Sequence, residues 1–535
     1  MSRKSAWNRV FEWGWLPLFL LVVAVALLTR PLMPVDETRY LGVAWDMWSA
    51  GSWVVPLLDG EPYSHKPPLL FWLIHVGWFV FGVNEISARL VEPAFALGSL
   101  FLVRAVARRL FPERSAVATL APWVLLGTVY WLGFATMTMF DQLVVFFVLL
   151  GVLGLLDLGQ GRRRGWLWLF VGTLLGTLAK GPFALIYLVP LTVAAPWWAG
   201  VPLSWRWFVQ AGSVGLLGSC VALGWALWAA HLGGPAYAEA ILWSQLAGRA
   251  VDAFDHAQPF YYYLWLLPLL FLPWTLLLPG LLRRTRGNWR WAGGPWDEPH
   301  MGRLLLVWVV VPFVLLSLAS GKLPHYLLPM LPALSIATAA VLASPGEAGR
   351  PLGARSVVML WFLVGLALVA LSWVDNSPML AMLPGWVSAV GVVLLLCGAW
   401  LWRDRCWPRQ AMSVAMITTL ALVLLHLAFV PMRSAFDFQA FAGQVGQWQR
   451  EGRPVAFVGK YRDEYHFYGR LKESVVVLGH GEVELERFCA KAPNGVVVQR
   501  LSGEVPPDAL AVTPFRSKHD VALPCSAHRP AKPEP

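Results

Sequence analysis

The chain has 535 residues, of which 57% are hydrophobic and only 14% charged, and it contains 32 Trp. This composition excludes an ordinary soluble domain and indicates an integral membrane protein. The formal net charge of +11 does not indicate nucleic-acid binding, because the Arg residues lie in short loops between apolar segments, where they act as a topology signal.

Apolar segments of about 20 residues, the length that crosses a hydrocarbon core of about 30 Å, recur along the chain. The first ends without a small-residue cleavage site, which favours a retained helix over a removed signal peptide. The pattern predicts about thirteen transmembrane helices, at residues 15–33, 88–107, 115–135, 138–157, 166–180, 182–200, 207–230, 261–282, 303–320, 325–344, 355–374, 384–402 and 411–431.

The basic residues of the short loops predict the orientation of these helices. If the helices simply alternate, the basic residues before the first helix and the Arg clusters after every second one fall on the same side. The positive-inside rule makes that side the cytoplasm. We therefore predict a cytoplasmic amino terminus and a carboxyl terminus on the outer side of a bacterial inner membrane.

Residues 34–87 form the first long outer segment. Glu37 to Ala50 has apolar residues at helical spacing, which predicts a helix lying along the membrane surface. A turn follows at Asp59 to Pro62, and Pro67-Pro68 opens a further apolar run. Counting that run as a transmembrane helix would move the later Arg clusters outside, so we interpret it as interfacial.

Residues 432–535 form the second outer segment. Short strand patterns at 454–458, 474–478 and 495–499, with helical patterns at 438–451 and 482–490, predict a small α/β domain. The transmembrane domain is accordingly expected to occupy residues 1–431, and the domain after it is expected to end in a frayed Pro-containing tail. Cys489 and Cys525 are its only cysteines, which makes them candidates for a disulfide in an oxidising periplasm.

Ionisable residues gather at the predicted outer ends of the helices. Such groups are costly to desolvate at a membrane boundary unless they are paired or used in function. Their position predicts an enzyme with its active site at the outer membrane face. The residues are Asp36, Glu37, His65, Lys66, Asp141, Lys180, His256 and Lys322.

The acids Asp36, Glu37 and Asp141 are candidate catalytic residues. A carboxylate in this position can orient or deprotonate an incoming nucleophile, or hold a metal. The structural alternatives are a solvated boundary or a cap on the helix that follows.

The cations are candidate phosphate ligands. Lys66 lies just before a Pro-rich helix start, where an ammonium and backbone N–H groups together favour a phosphate. Lys180 interrupts an apolar stretch at a Gly-Pro break, and Lys322 lies in a tight outer hairpin. The alternative for these lysines is snorkelling to lipid head groups. His65 and His256 are candidate metal ligands or hydrogen-bond donors.

Several motifs together resemble the GT-C glycosyltransferases, and most closely the bacterial aminoarabinose transferase and protein mannosyltransferase-like group. The resemblance covers about residues 30–335. Its motifs are Asp36-Glu-Thr-Arg-Tyr40, Gly51-Ser-Trp-Val-Val-Pro56, Gly60-Glu-Pro-Tyr63, Lys66-Pro-Pro-Leu69, Phe81-Gly-Val-Asn-Glu85, Ala88-Arg-Leu90, Ala179-Lys-Gly-Pro182, His256 followed by Pro259 and Tyr263, and Lys322-Leu-Pro-His-Tyr326.

The resemblance implies an all-α polytopic GT-C fold that transfers a sugar, with inversion, from an undecaprenyl phosphate donor at the periplasmic face. It implies that Asp36 is the essential acceptor-side carboxylate and that Lys66, Lys180, Lys322 and Arg39 hold the donor phosphate. It also implies that His256 lies where a divalent metal binds. Lipid A is the favoured acceptor, with a protein or another envelope glycan as the alternative.

One position departs from the family pattern. Aminoarabinose transferases usually carry Glu before Lys-Pro-Pro, where this chain has His65. An imidazole can still bind a borderline metal, but the substitution removes a negative charge. A lipid or sugar transporter is the alternative from another class. Transporters place polar residues near the membrane midplane and often contain internal repeats, and neither feature is found here.

Overall fold

The computed structural model describes residues 10–243, 257–277, 299–343, 354–371, 387–403, 407–428, 430–516 and 518–528. Helices dominate this part of the chain, and a single larger β-sheet occurs within it, near the carboxyl terminus. The predicted fold class, a polytopic helical protein with a small carboxyl-terminal α/β region, is confirmed.

The first half of the chain forms helices α1 (Trp15–Thr29), α2 (Asp36–Ala50), α3 (Leu69–Phe81), α4 (Glu85–Arg89), α5 (Val91–Leu110), α6 (Ser115–Leu126), α7 (Val129–Phe134), α8 (Asp141–Gly159), α9 (Gly165–Lys180), α10 (Leu185–Val193), α11 (Ala195–Trp198), α12 (Trp205–Gly233) and α13 (Pro235–Glu239). A two-stranded hairpin lies between α2 and α3 and consists of β1 (Leu57–Leu58) and β2 (Glu61–Pro62).

The second half contains helices α14 (Tyr262–Leu270), α15 (Pro299–Leu305), α16 (Val311–Leu318), α17 (Leu331–Leu342), α18 (Ala354–Leu371), α19 (Val387–Arg403), α20 (Trp407–Ala428), α21 (Gln439–Arg450), α22 (His466–Gly469) and α23 (Glu482–Lys491). Short 3₁₀ segments lie at Gly181–Ala184, Trp274–Leu277, Pro324–Met330, Val430–Ala435 and Cys525–His528, and a π-helical turn lies at Leu306–Val310. The remaining strands are β3 (Val455–Val458), β4 (Val476–Leu478), β5 (Val496–Leu501), β6 (Ala511–Phe515) and β7 (Lys518–Pro524).

Six helical segments of the described residues are long and apolar enough to cross a membrane, and six shorter apolar helices accompany them. The long segments agree with predicted helices, and the interfacial run is a helix of 13 residues, α3. The count of about thirteen crossings stays a prediction. The long segments are Glu85–Leu110, Asp141–Gly159, Gly165–Val193, Trp205–Gly233, Pro324–Leu342 and Ala411–Ala428.

Glycines allow α8 and α9 to pack closely. A Cβ atom on Gly165 would lie 2.4 Å from the carbonyl oxygen of Gly154, and one on Gly172 would lie 2.7 Å from the carbonyl oxygen of Phe147. Small residues at such contacts let membrane helices approach backbone to backbone. The close approach brings the first residue of α8, Asp141, beside the last residue of α9, Lys180.

The other end of α8 carries a fully buried acid. Asp157 pairs with Arg109 at 2.7 Å, Arg164 at 2.8 Å and Arg162 at 3.2 Å. At about 1.5 Å per residue, Asp157 lies roughly 24 Å along the helix from Asp141, most of the hydrocarbon thickness of a bilayer. Three of the Arg residues that predicted the cytoplasmic side therefore lie at the end of α8 opposite Asp141.

The carboxyl-terminal sheet has the strand order β4-β3-β5-β7-β6. Strands β4, β3 and β5 are parallel, whereas β7 runs antiparallel to both β5 and β6. The sequence predicted β3, β4 and β5 but not β6 and β7, in which Pro514, Lys518, His519 and Pro524 interrupt the apolar pattern. The extent of the domain, residues 432–535, stays a prediction.

This domain docks on the first outer segment. Trp45 of α2 donates its indole N–H to the carbonyl oxygen of Leu471 at 2.6 Å, and Tyr468 donates its hydroxyl to Glu85 at 2.9 Å. The rings of Trp78 and Phe467 stack with their centroids 5.7 Å apart. The helix that carries Asp36 is thus covered by the carboxyl-terminal domain.

Cys489 and Cys525 form a disulfide, as predicted. It joins α23 to the residue after β7, and both cysteines pack with Val497. Cys220, in α12, is exposed and unpaired.

We expect loss of this disulfide to destabilise the carboxyl-terminal domain. The bond closes a loop with a sequence separation of 36 residues, and closing such a loop stabilises a fold by about 2–4 kcal/mol. The double variant Cys489→Ser/Cys525→Ser should lower the thermal midpoint of the purified protein. Cys220→Ser is the matched control and should leave the midpoint unchanged. An equal midpoint for the double variant and the parent would contradict the expectation.

Candidate active site

Glu37 lies at the start of α2, where it joins three parts of the chain. Its carboxylate forms an ion pair with Arg30 and accepts hydrogen bonds from the backbone N–H groups of Met33 at 2.9 Å and Thr138 at 2.7 Å. The side chain is fully buried. Both oxygens are saturated and inaccessible, which indicates a structural role, and the catalytic role of Glu37 stays a prediction.

Asp36 faces the opposite way. Its side chain is 49% exposed and pairs with Arg39 one turn along α2, and the Tyr40 hydroxyl lies 3.4 Å from Oδ1. The carboxylate is accessible while its orientation is restrained. This suits the predicted catalytic role of Asp36. Arg39, a predicted phosphate ligand, is placed beside that carboxylate.

Phe140, the residue before α8, brings the outer segment to the helix bundle. The ring of Tyr40 meets it edge to face with centroids 4.9 Å apart, and the ring of Phe71 does so at 5.7 Å. The Lys66 ammonium lies 5.3 Å from the Phe140 centroid, within the range of a cation–π contact. Lys66 is therefore placed beside the residue that precedes Asp141.

Asp141 and Lys180 form a buried ion pair. The ammonium lies 2.6 Å from Oδ1, and the two side chains are only 3% and 8% exposed. Aromatic rings surround the ammonium, with the centroid of Tyr326 at 4.9 Å and that of Phe183 at 5.1 Å. The Lys180 ammonium is thus held by one carboxylate and two aromatic faces.

His325 was missed as a site residue by the sequence analysis. Its ring lies 5.8 Å from that of Phe134, and the charges of Asp141, Lys180, Lys66 and Asp36 all act on it. The sequence feature that could have identified His325 is its place in the motif Lys322-Leu-Pro-His-Tyr326. The partly buried imidazole therefore lies within electrostatic reach of these four charged side chains.

Lys322 occupies a different environment. Its ammonium donates hydrogen bonds to the carbonyl oxygens of Gln258, at 2.8 Å, and Ala319. The residue is 3% exposed. Backbone carbonyls therefore accept from two of its three N–H donors, and its role as a phosphate ligand stays a prediction. Lys322 holds the outer hairpin closed.

The predicted metal ligands receive no support from the described geometry. The ring of His65 lies 5.2 Å from that of Tyr63, and His256 lies outside the described residues. Within the part of the chain that the structure describes, His65 belongs to no group of three or more ligating side chains.

A possible metal-binding group does occur elsewhere, where the carboxyl-terminal domain meets α2. The ligating atoms of Asp46, Asp463 and His466 all lie within 4.8 Å of one another. Burial raises the pKa of the Asp463 carboxyl to about 8. Burial lowers the pKa of His466, but the adjacent carboxylates of Asp46 and Asp59 outweigh it and raise that pKa to about 10.

We expect removal of Lys180 alone to be more damaging than removal of the whole ion pair. Lys180→Met leaves the Asp141 carboxylate buried without its partner, which costs about 3–5 kcal/mol. The double variant Asp141→Asn/Lys180→Met removes both charges and should regain most of the lost thermal midpoint. A double variant no more stable than the single one would contradict this expectation.

Glu37→Gln should likewise lower the thermal midpoint. The carboxylate accepts hydrogen bonds at both of its oxygens, whereas the amide of Gln has only one acceptor oxygen. Asp36→Asn, one residue earlier and half exposed, is the matched control and should leave the midpoint unchanged. Thermal unfolding of both variants in detergent measures the difference. Equal midpoints for the two variants would contradict a structural role for Glu37.

Residues 65–228 match the family described as dolichyl-phosphate-mannose-protein mannosyltransferase. Among curated proteins, the chain is 30% identical over 451 residues to an undecaprenyl phosphate-alpha-4-amino-4-deoxy-L-arabinose arabinosyl transferase of Pseudomonas aeruginosa, covering 81% of this chain and 77% of that protein. The protein of the same name from Edwardsiella ictaluri is 31% identical over 365 residues, covering 66% of this chain and 63% of that protein.

The fold is similar to that of solved structures. ArnT from Cupriavidus metallidurans bound to undecaprenyl phosphate superposes with a TM-score of 0.74 at 20% identity, covering 98% of this chain and all of that one. Its apo form gives a TM-score of 0.73. These likenesses confirm the resemblance on which the sequence analysis relied. The chain belongs to the undecaprenyl phosphate-aminoarabinose transferase family of GT-C fold glycosyltransferases.

Proposed function

We propose that this protein transfers 4-amino-4-deoxy-L-arabinose, with inversion, from undecaprenyl phosphate to lipid A. The names of its relatives give the sugar and its lipid carrier. The observation that carries the proposal is a chain of contacts at one end of α8. Asp141 pairs with Lys180, and the neighbouring ring of Phe140 contacts Lys66 and Tyr40, whose hydroxyl lies 3.4 Å from Asp36. Such a cluster suits an anionic donor and a polar acceptor at a membrane boundary.

We place the protein in the bacterial inner membrane with this cluster at the periplasmic face. The Arg residues around Asp157 occupy the opposite end of α8, as the positive-inside rule expects for a cytoplasmic boundary. The carboxyl-terminal domain contacts α2 and therefore lies on the periplasmic side. Its disulfide suits that oxidising compartment.

In the proposed reaction an acceptor oxygen attacks the anomeric carbon of the sugar. The bond between that carbon and the phosphate oxygen of the carrier breaks, and undecaprenyl phosphate leaves with the electron pair. Lys66 stabilises the negative charge that develops on this phosphate. Lys180 shares that role through the ammonium donors that Asp141 does not use.

Asp36 acts on the acceptor. If the acceptor is a lipid A phosphate, it is already ionised, and Asp36 orients it by way of Arg39 and Tyr40. If the acceptor is a hydroxyl, Asp36 takes its proton. The match of residues 65–228 to protein mannosyltransferases makes a protein hydroxyl, or another envelope glycan, the second candidate. No step requires a divalent cation at His65.

Transfer is tested with purified protein, labelled undecaprenyl phosphate-aminoarabinose and lipid A. We expect labelled lipid A and released undecaprenyl phosphate, and we expect Asp36→Asn to lower the rate by about 100-fold or more. Glu61→Gln, an exposed acid of the same outer segment, is the control and should keep full activity. An active Asp36→Asn would remove its assigned role, and an intact glycosyl bond in all samples would favour a transporter.

Lys66→Met should lower the transfer rate by about 100–1,000-fold, the range found when a transition-state charge donor is lost. Lys66→Arg should restore a measurable part of it, because the positive charge returns. The readout is the single-turnover rate at saturating donor. A rate unchanged by Lys66→Met would contradict a role for this ammonium at the phosphate.

A further inference from the structure

We infer that the interface between α2 and the carboxyl-terminal domain binds a divalent cation of the zinc class, ligated by Asp46, Asp463 and His466. Asp46 belongs to α2, while Asp463 and His466 belong to the loop after β3 and to α22. The cation would therefore connect two segments more than 400 residues apart in sequence. It is distinct from any metal at His65.

Two buried polar atoms of this cluster have no hydrogen-bond partner. Asp463 Oδ1 is buried and has no hydrogen-bond partner, and the residue as a whole is 1% exposed. His466 Nε2 is buried as well and lies 3.0 Å from Asp59 Oδ1, but without the alignment of a hydrogen bond. Buried atoms without partners are rare in native folds and often mark an ion.

The charges of the cluster do not balance either. Three carboxylates, those of Asp46, Asp59 and Asp463, surround one imidazole, which even as an imidazolium balances only one of them. Over the described ranges, no Lys or Arg forms an ion pair with any of the three. Burying an excess of negative charge is costly. A divalent cation would remove most of that excess and would occupy the atoms that lack partners.

The remaining contacts hold the ligands in place. Asp46 Oδ2 accepts a hydrogen bond from the backbone N–H of Gly60 at 3.2 Å, and Asp463 Oδ2 accepts one from that of Asp59 at 3.2 Å. A Cβ atom on Gly42, one turn before Asp46, would lie 2.8 Å from the Asp463 Cβ, so only glycine permits this approach. Outer contacts that orient ligands are typical of metal sites.

The donor set indicates the class of cation. One imidazole nitrogen with carboxylate oxygens suits zinc, which bonds them at about 2.0–2.2 Å. Two donors of a tetrahedral zinc site lie about 3.4 Å apart. Because the ligating atoms lie within 4.8 Å of one another, binding would draw the most widely separated pair together by up to about 1.4 Å. The cluster lies about 15 Å along α2 from Asp36. The cation would hold the domain on α2 and take no part in sugar transfer.

The test measures zinc in the purified full-length protein after incubation with zinc chloride and desalting. We expect one zinc per chain by plasma mass spectrometry and a thermal midpoint that EDTA lowers. Asp463→Asn and His466→Asn should each weaken zinc binding by at least about 100-fold, the upper end of what loss of an outer contact costs. Both should also abolish the effect of EDTA. His480→Asn, at an exposed histidine of the same domain, is the matched control and should keep the zinc.

The alternative is a cluster neutralised by protons alone. It predicts no zinc above background in the parent, no effect of EDTA, and an Asp463→Asn variant at least as stable as the parent. Any of these three results would overturn the inference, as would a full equivalent of zinc in Asp463→Asn. The zinc content and the effect of EDTA are also measured on the parent protein. The test therefore gives a decisive result even if a variant misfolds. Loss of transfer activity by Asp36→Asn is independent of all these outcomes.

Discussion

The ion pair between Arg30 and Glu37 is the constraint on which the candidate active site depends. It joins the end of α1 to the start of α2, and through Thr138 it reaches the turn before α8. The cost of burying a carboxylate is offset only while all of these donors stay in place. The position of Asp36 relative to α8 is therefore set by its buried neighbour.

Ion pairs and aromatic contacts also position the other charged residues of the outer face. Asp141 is held by Lys180, and the aromatic ring of Phe140 contacts both Tyr40 and Lys66. Asp36, Lys66, Asp141 and Lys180 each have an opposite charge or an aromatic face beside them, so an apolar protein can keep these charges close together. That concentration of charge gives the site its capacity to bind an anionic lipid and a polar acceptor.

Hydropathy predicted most of this fold, because a bilayer demands long apolar helices whatever their partners are. It predicted the segments that hold Asp141 and Lys180, and it predicted β3, β4 and β5 from their Val-rich patterns. It could not reveal β6 and β7, whose Pro, Lys and His content is tolerated at an edge and beside it. Nor could it separate Asp36 from Glu37, because which of two adjacent helical residues faces the interior is decided by partners such as Arg30 and Thr138.

Other parts of the site depended on contacts that are distant in sequence. The pairing of Lys322 with the carbonyl oxygen of Gln258 and the gathering of charges around His325 exist only once the helices are packed. A lysine that binds phosphate and a lysine that closes a hairpin have the same appearance in a hydropathy profile. The family resemblance supplied the order of the motifs, whereas packing decides which of their residues are accessible.

Helix α8 is anchored by charge at both ends, with Asp141 bound to Lys180 and Asp157 bound to three arginines. The number of residues between these acids consequently acts as a molecular ruler. Adding or deleting one residue there would turn one acid by about 100° and shift it by about 1.5 Å relative to the other. Length variation among related chains should therefore be found in the loops and be absent from this helix.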